Sequence, residues 1–208
     1  MLMDPATGEI TDTITLQINP PQLTRSLKVR GAGEGGDRSE ALRLTGPPVE
    51  TIQLEAELDA TDKLEHPGRN QDAVVFGLRP ELAALERIVY PEMATLLKND
   101  ELAEAGMLEI LPAEAPLALF SWGIHRLLPV RITECNVAEE AFDQKLNPIR
   151  AKVTLGMQVL SVNDLPFDHR GSSLYLGHHQ FIELVNPIAR VLRALGAVAA
   201  AGPRRRGG

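Results

Sequence analysis

The residue types in this chain with capacity for chemistry are five histidines, one cysteine and several clustered carboxylates, and their spacing decides what they can support. His178 and His179 are adjacent, so in a helix their side chains diverge by about 100° and miss the i, i+4 spacing that lets two imidazoles share a zinc ion. His125 follows Trp122 in "SWGIH", where a turn anchored by an aromatic is the ordinary reading and a pocket the functional one. Glu55, Glu57, Asp59 and Asp62 offer carboxylates for acid/base work. The first three alternate along one solvated strand face, without the burial that raises an acid's pKa. "GAGEGGD" lacks the preceding buried strand, the phosphate-position lysine and the following helix that a phosphate loop needs. Cys135, the single cysteine, excludes an intrachain disulfide and a multi-cysteine metal site, and in its apolar strand it reads as an inert thiol. No serine elbow, HExxH or kinase-type motif is present. These residues together predict no catalytic group, no metal and no cofactor, hence a protein that is not an enzyme.

Composition narrows the partners. With 208 residues, 44% hydrophobic and 24% charged, the chain is expected to fold as a globular protein with one substantial core or one domain plus an appendage. Its formal net charge of -7 argues against nucleic acid and anionic membranes, because phosphate binding needs a surplus of Lys and Arg. "MLMDPATGEITDT" has neither the basic nor the apolar region of a signal peptide, and no apolar run reaches the length of a membrane span. The expectation is synthesis and folding in a cytoplasm, with no direct membrane insertion.

The elements that position these residues follow from periodicity. "TDTITLQINP" alternates Ile14, Leu16 and Ile18 with Thr13, Thr15 and Gln17 and reads as a strand stopped by Pro20 and Pro21. Residues 30 to 40, "RGAGEGGDRSE", follow a basic patch of Arg25, Lys28 and Arg30 and read as a mobile loop. "VETIQLEAELDATD" alternates again, with Ile52, Leu54, Ala56 and Leu58 on the dry side. "RPELAALERIVYPEMATLLKND" is the one main helix, with Pro80 at its start, Leu82, Leu85 and Val89 on a stripe, and Pro91 kinking or restarting it. "PLALFSW" is apolar on both faces and predicts a strand covered by a helix or by another subunit. From Ile149 to Val159 apolar and polar residues alternate strictly, while the parity slip between Ile132 and Cys135 predicts a β-bulge near Thr133 and Glu134. "EEAFDQKLNP" between them reads as a long structured loop. The tail from residue 167 predicts a short helix interrupted at Asn186 and Pro187, a second helix, and a frayed end with three arginines.

About five strands and one main helix give an α+β domain on an antiparallel sheet or partly closed barrel, with a C-terminal helical extension. Residues 1–12 read as an arm, 13–166 as the domain and 167–208 as the extension.

Residues 117 to 166, "LALFSWGIHRLLPVRITECNVAEEAFDQKLNPIRAKVTLGMQVLSVNDLP", resemble the hallmark block of the contractile injection system tube-protein family, the tube-like baseplate proteins of phage-tail-like particles. The resemblance is carried by Trp122 and Gly123, Pro129 to Thr133, Glu139 to Asp143 and Leu146 to Val153. "INPPQLTRSL", "ETIQLEAELDATD" and "GLRPELAALERIVYP" are similar in order to earlier parts of the family, so the resemblance covers roughly residues 13 to 166. Longer relatives carry a LysM module, and nothing after Phe167 resembles it. The resemblance implies a barrel of the phage tail-tube type and a homo-hexameric ring that joins a central spike to an inner tube and initiates tube assembly. Spike, inner-tube and other baseplate proteins would be its partners, and the particle would assemble in a bacterial cytoplasm and then stay inside the cell or be released. A repeating inner-tube subunit or tube cap is the alternative, and a hub enzyme acting on the cell wall is a third. On this reading Trp122, Arg126, Glu139, Glu140, Phe142, Asp143 and Asn147 would meet neighbouring subunits, with Phe142 as anchor. Arg150, Lys152, Thr154 and Gln158 would face the lumen or a flanking subunit.

Overall fold

Alternation in three long segments builds the centre of the protein. The computed structural model describes residues 1–4, 7–31, 43–91, 93–106 and 117–200, with side chains of the last helix up to residue 193. Strands β1 (Leu2–Met3), β2 (Ile10–Asp12), β3 (Leu23–Lys28), β4 (Val49–Asp59), β5 (Leu117–Ser121), β6 (Leu127–Phe142) and β7 (Pro148–Val159) form one antiparallel sheet in the order β2-β1-β5-β6-β7-β4-β3. Opposite residues share a face. Ile52 stands against Met157, Leu54 against Leu155, Ala56 against Val153 and Leu58 against Ala151, and on the other side Cys135 meets Leu155 and Val137 meets Val153. These pairs make the dry face, where Ile52, Ala56, Ala151 and Val153 are all but sealed from water.

Helices α1 (Thr61–Leu64), α2 (Gln71–Phe76), α3 (Arg79–Glu86) and α4 (Met93–Glu104) follow β4, and Leu78, Leu82 and Leu85 of the α3 region close the core. The main helical region is thus two helices, separated by the turn ahead of and around Pro91, and Val89 is exposed instead of joining the stripe. Gly77 allows the chain to approach β7. Its φ is +60, and a Cβ there would stand 2.2 Å from the Pro148 carbonyl oxygen, to which the Leu78 N–H donates at 2.8 Å. That contact ties the start of α3 to the first residue of β7.

Helix α5 (Arg170–Ala200) lays its first turns on the opposite side of β5. Leu174 packs with Met3, Leu117 and Leu119, and the Ser172 hydroxyl donates to the Pro166 carbonyl at 2.8 Å. The doubly apolar β5 is therefore covered on both faces within one chain, since Ala118 and Phe120 point to the main core.

Several expectations are corrected. The sheet is open among the described residues: it ends at β2 and β3, which are not paired with each other, so no barrel closes. Residues 13–17 alternate in burial, with Ile14 and Leu16 packed on the core, while Ile18, expected on the same side, is exposed; among the described residues they pair with no strand and form a cover over the dry face. "EEAF" belongs to β6, because further irregularities between Glu139 and Phe142 let the ladder resume after each slip, and the connecting turn is 143–147. Helix α5 runs through Pro187 without interruption; residues 182–188 are exposed, so water is open to the Glu183 carbonyl that proline leaves without a donor. The bulge expected near Thr133 and Glu134 is present as a register shift between Ile132 and Glu134. Residues 1–12, read as an arm, carry β1 and β2 and bury Leu2 and Met3. The glycine-rich stretch from residue 32 and the terminal arginines lie outside the described residues.

Val153 is 0% exposed at the middle of β7. Val153→Asp should therefore abolish the cooperative fold, because a carboxylate there costs several kcal/mol, comparable with a domain's whole stability. Far-UV circular dichroism and urea unfolding would show it; a wild-type midpoint would mean that the β4–β7–β6 face is not the core.

Candidate assembly surface

Several of the groups with chemical capacity are held in structural contacts. Asp59 accepts hydrogen bonds from the Thr61 N–H at 2.8 Å and from the Thr61 hydroxyl, and Arg150 donates to its other oxygen through Nη2 at 2.8 Å and Nε at 3.0 Å. Those bonds, Thr61 first and Arg150 after it, hold its carboxyl below the ordinary value, opposite to what a general acid needs. Asp62 has moved off to α1. His179 Nδ1 lies 3.5 Å from Glu183 on α5, and His125 stacks on Phe181 with ring centroids 5.0 Å apart. Burial lowers the pKa of His178, with Glu50, Arg25 and Arg126 in its surroundings. Cys135 packs half-buried against the core, and burial pushes its thiol up, away from the reactive thiolate. Among the described residues no three His, Cys, Asp or Glu side chains gather as a metal site.

The second face of the sheet is a band of polar cross-strand neighbours. Arg150 stands opposite Asp59, Lys152 opposite Glu57 and Ala138, Thr154 opposite Glu55 and Asn136, and Gln158 opposite Thr51 and Arg131. Lys152 Nζ reaches Glu140 at 3.2 Å, and Arg131 donates to Gln158 at 2.8 Å. Burial of Lys152 is slight, and the Glu140 bond and charge raise its pKa. Exposed pairs of this kind contribute little to stability, because water and salt screen them. Their larger effect is on the surface itself, where alternating cations and carboxylates leave no sticky apolar patch. Gly156 interrupts the row because Glu134 crosses over it, with its Cβ 3.0 Å from where a glycine Cβ would stand.

The residues expected at subunit contacts separate into three groups. Glu139, Glu140 and Phe142 are exposed along the end of β6, Phe142 at 47%. Asp143 and Asn147 are committed to their own turn: the Asp143 carboxylate accepts from the backbone N–H groups of Lys145 at 2.7 Å and Asn147 at 2.8 Å, and from the Asn147 amide at 2.9 Å. Asn147 is buried and its amide also donates to the Val75 carbonyl on α2 at 3.1 Å, so it is a folding residue, not a surface contact. Trp122 and Arg126 sit half-buried in the β5–β6 turn, joined by a 2.8 Å bond from the Trp122 N–H to the Arg126 carbonyl, with the indole stacked on Phe120. Trp122 also lines an open apolar cleft of about 380 Å³ beneath Ile14, Leu16 and Phe120.

The sequence does not match any family model or curated protein.

Two features escaped sequence reasoning. Leu146, at φ +62 and largely exposed, stands at the tip of the turn near Phe142. Leucine rarely adopts that conformation, so no local signal announces it. The aliphatic face of α5 from Ile182 to Leu192 is also exposed. Its periodicity was visible in the residues, but how far the helix leaves the sheet was not.

The turn makes a pH prediction. Bonds from Asn147 and then Lys145 hold the Asp143 carboxyl below 3.8, so the stability it contributes is fully present above that value and is lost as pH falls through its folded pKa. Asp59 acts in the same sense. Unfolding midpoints should decline below 3.8, and Asp143→Asn should flatten that decline; an unchanged slope in the variant would remove Asp143 as a source. Asn147→Ala should cost about 1–3 kcal/mol by leaving the Val75 carbonyl unpaired. Hydrogen exchange should localise the loosening to α2, and uniform loosening would contradict it.

Proposed function

We propose that the protein is a structural baseplate subunit of a contractile injection system, assembling as a hexameric ring that joins the spike to the inner tube and starts tube growth. The observation that carries this reading is the open sheet: its central strands are long and fully paired, yet β3 ends it with Leu27 more than half exposed, and β2 ends it on the other side. Open edges are templates for pairing, and closure by neighbouring copies removes them. The tube-protein resemblance of residues 117 to 166 supplies the ring, and it falls on β5, β6 and β7, the middle of the sheet. In such a ring the polar face with Arg150, Lys152, Thr154 and Gln158 lines the lumen or meets a flanking subunit. Glu139, Glu140 and Phe142 meet the next subunit, and Leu146 extends that contact. The repeating inner-tube subunit uses the same faces; helix α5, running 31 residues, favours the adaptor because a plain stacking subunit has no use for it. Asp59, spent on Thr61 and Arg150, gives a cell-wall hydrolase no acid to work with.

The chain should be co-expressed with spike and inner-tube proteins of an injection particle and imaged. Sixfold rings between spike and tube are expected. A compact monomer with β2 and β3 as protected from exchange as β7, recruiting neither protein, would sink the reading. Phe142→Ala, and Glu139→Lys with Glu140→Lys, should leave circular dichroism unchanged and cut recruitment at least about tenfold, the size of a modest interface anchor. Single alanine replacements of His125, His178, His179, Glu57 and Asp59 should leave assembled particles able to inject; loss of injection from any one would point to chemistry at that residue.

A further inference from the structure

The first turns of helix α5 dock through one stripe. Ser172 and Tyr175 are buried, Leu174 packs with Met3, Leu117 and Leu119, and Phe181 stacks on His125 of the β5–β6 turn with ring centroids 5.0 Å apart. His178 falls on the same stripe, midway between Tyr175 and Phe181, where helical side chains share a face. The residue as a whole is half-buried, yet both of its imidazole nitrogens are sealed from water and meet no hydrogen-bond partner among the described residues. A neutral imidazole carries one donor and one acceptor, and leaving them unpaired away from water costs free energy.

The groups around the imidazole decide which protonation state the site can hold. Glu50 of β4 faces it as an anion, but that carboxylate is buried and already bound to Arg25 of β3 at 2.6 Å. Arg25 and Arg126 face it as cations, from β3 and from the β5–β6 turn. The His125 backbone also faces it, outside the geometry of a hydrogen bond. On its own helix Tyr175 is held neutral by burial, and His179 lies by Tyr175 and turns its Nδ1 to Glu183 at 3.5 Å. A proton on His178 would add a second N–H donor and a full charge at a place where neither nitrogen meets an acceptor. Burial accordingly holds its pKa below the ordinary 6.5, with Glu50 opposing that shift and the two arginines adding to it.

We propose that His178 is a proton-operated latch on helix α5: the neutral imidazole lets residues 172–181 lie on β5 and the β5–β6 turn, and the protonated imidazole releases them. Release gives the cation water and uncovers Met3, Leu117 and Leu119 beneath Leu174. Docking is complete above pH 6.5 and is lost as pH falls below it, because the released helix binds the proton more tightly than the docked one. One proton sets the limit at about tenfold in the opening equilibrium per pH unit. The loss ends at the docked pKa, below which both forms are charged. Ordinary carboxylates titrate near about 4, so they stay ionised through the upper part of this window. All of these groups belong to one chain, and the latch needs no neighbouring subunit.

Hydrogen exchange of the amides of residues 174–181 in the full chain, each rate divided by its intrinsic value at that pH, tests the latch from about pH 7.5 to about pH 5.5. In wild type the opening constant should be level above pH 6.5 and rise below it by several-fold, at most about tenfold per pH unit, while β7 keeps its protection. His178→Gln and His178→Phe take up no proton in this range, and both should stay level. His125→Phe, which keeps an aromatic ring on Phe181, and His179→Gln should retain the wild-type slope. Proton resonances of the wild-type imidazoles should give His178 a titration midpoint below 6.5. A level wild-type profile, a midpoint at or above 6.5, a slope that persists in both His178 variants or vanishes with His125→Phe, or a parallel loosening of β7 would each overturn the proposal. If neither His178 variant docks at any pH, the wild-type slope and the resonance midpoint together decide. A chain that shows the slope without ever forming rings keeps the latch and counts against the baseplate reading alone.

Discussion

Everything in this protein depends on the register that sets Ala56, Val153 and Val137 side by side across β4, β7 and β6. A sheet has a side-chain period of two, so a slip by one residue would turn every aliphatic group to water and every charge inward. The register is held from both directions. On the dry side the aliphatic rows interlock with α3, and at one end of β7 the Leu78 N–H and the Asn147 amide attach the helices to the hairpin turn. Asp143 organises that turn, so a surface carboxylate reaches the core through its hydrogen bonds.

The same register decides the character of the wet face. Because Arg150, Lys152, Thr154 and Gln158 alternate with buried residues, they emerge in a row, and the neighbouring strands set Asp59, Glu57, Glu55 and Arg131 opposite them. Arg150 and Lys152 are thus each paired with a carboxylate and Arg131 with an amide, although the whole chain carries -7. Paired charges of opposite sign project a weaker long-range field than a surface of one sign.

The molecule leaves two kinds of unfinished structure. Among the described residues the sheet stops at β2 and β3, and α5 carries an aliphatic face that is exposed beyond Phe181. Natural sheets usually blunt such edges and natural helices usually bury such faces. In the assembly proposed above the two surfaces would meet neighbours by different means, backbone pairing at one and side-chain packing at the other.

By itself the sequence determined the local patterns: the dry rows of β4 and β7, the bulge between Ile132 and Glu134 announced by a change of parity, and the proline at the start of α3. These are legible because period and turn chemistry act over a few neighbouring residues. Tertiary structure decided what each pattern became. Ile14 and Leu16 alternate like a strand but serve as a cover, since among the described residues no partner strand lies beside them. "EEAF" looks like a loop but stays in β6, because Ala151 and Pro148 across the ladder accept the slipped register. Asn147 looks like a surface residue and is buried, because the Val75 carbonyl of α2 accepts a hydrogen bond from its amide. Helix α5 continues past Pro187 because its freed carbonyl can meet water. In each case the deciding group is distant in sequence, and no local pattern carries its position.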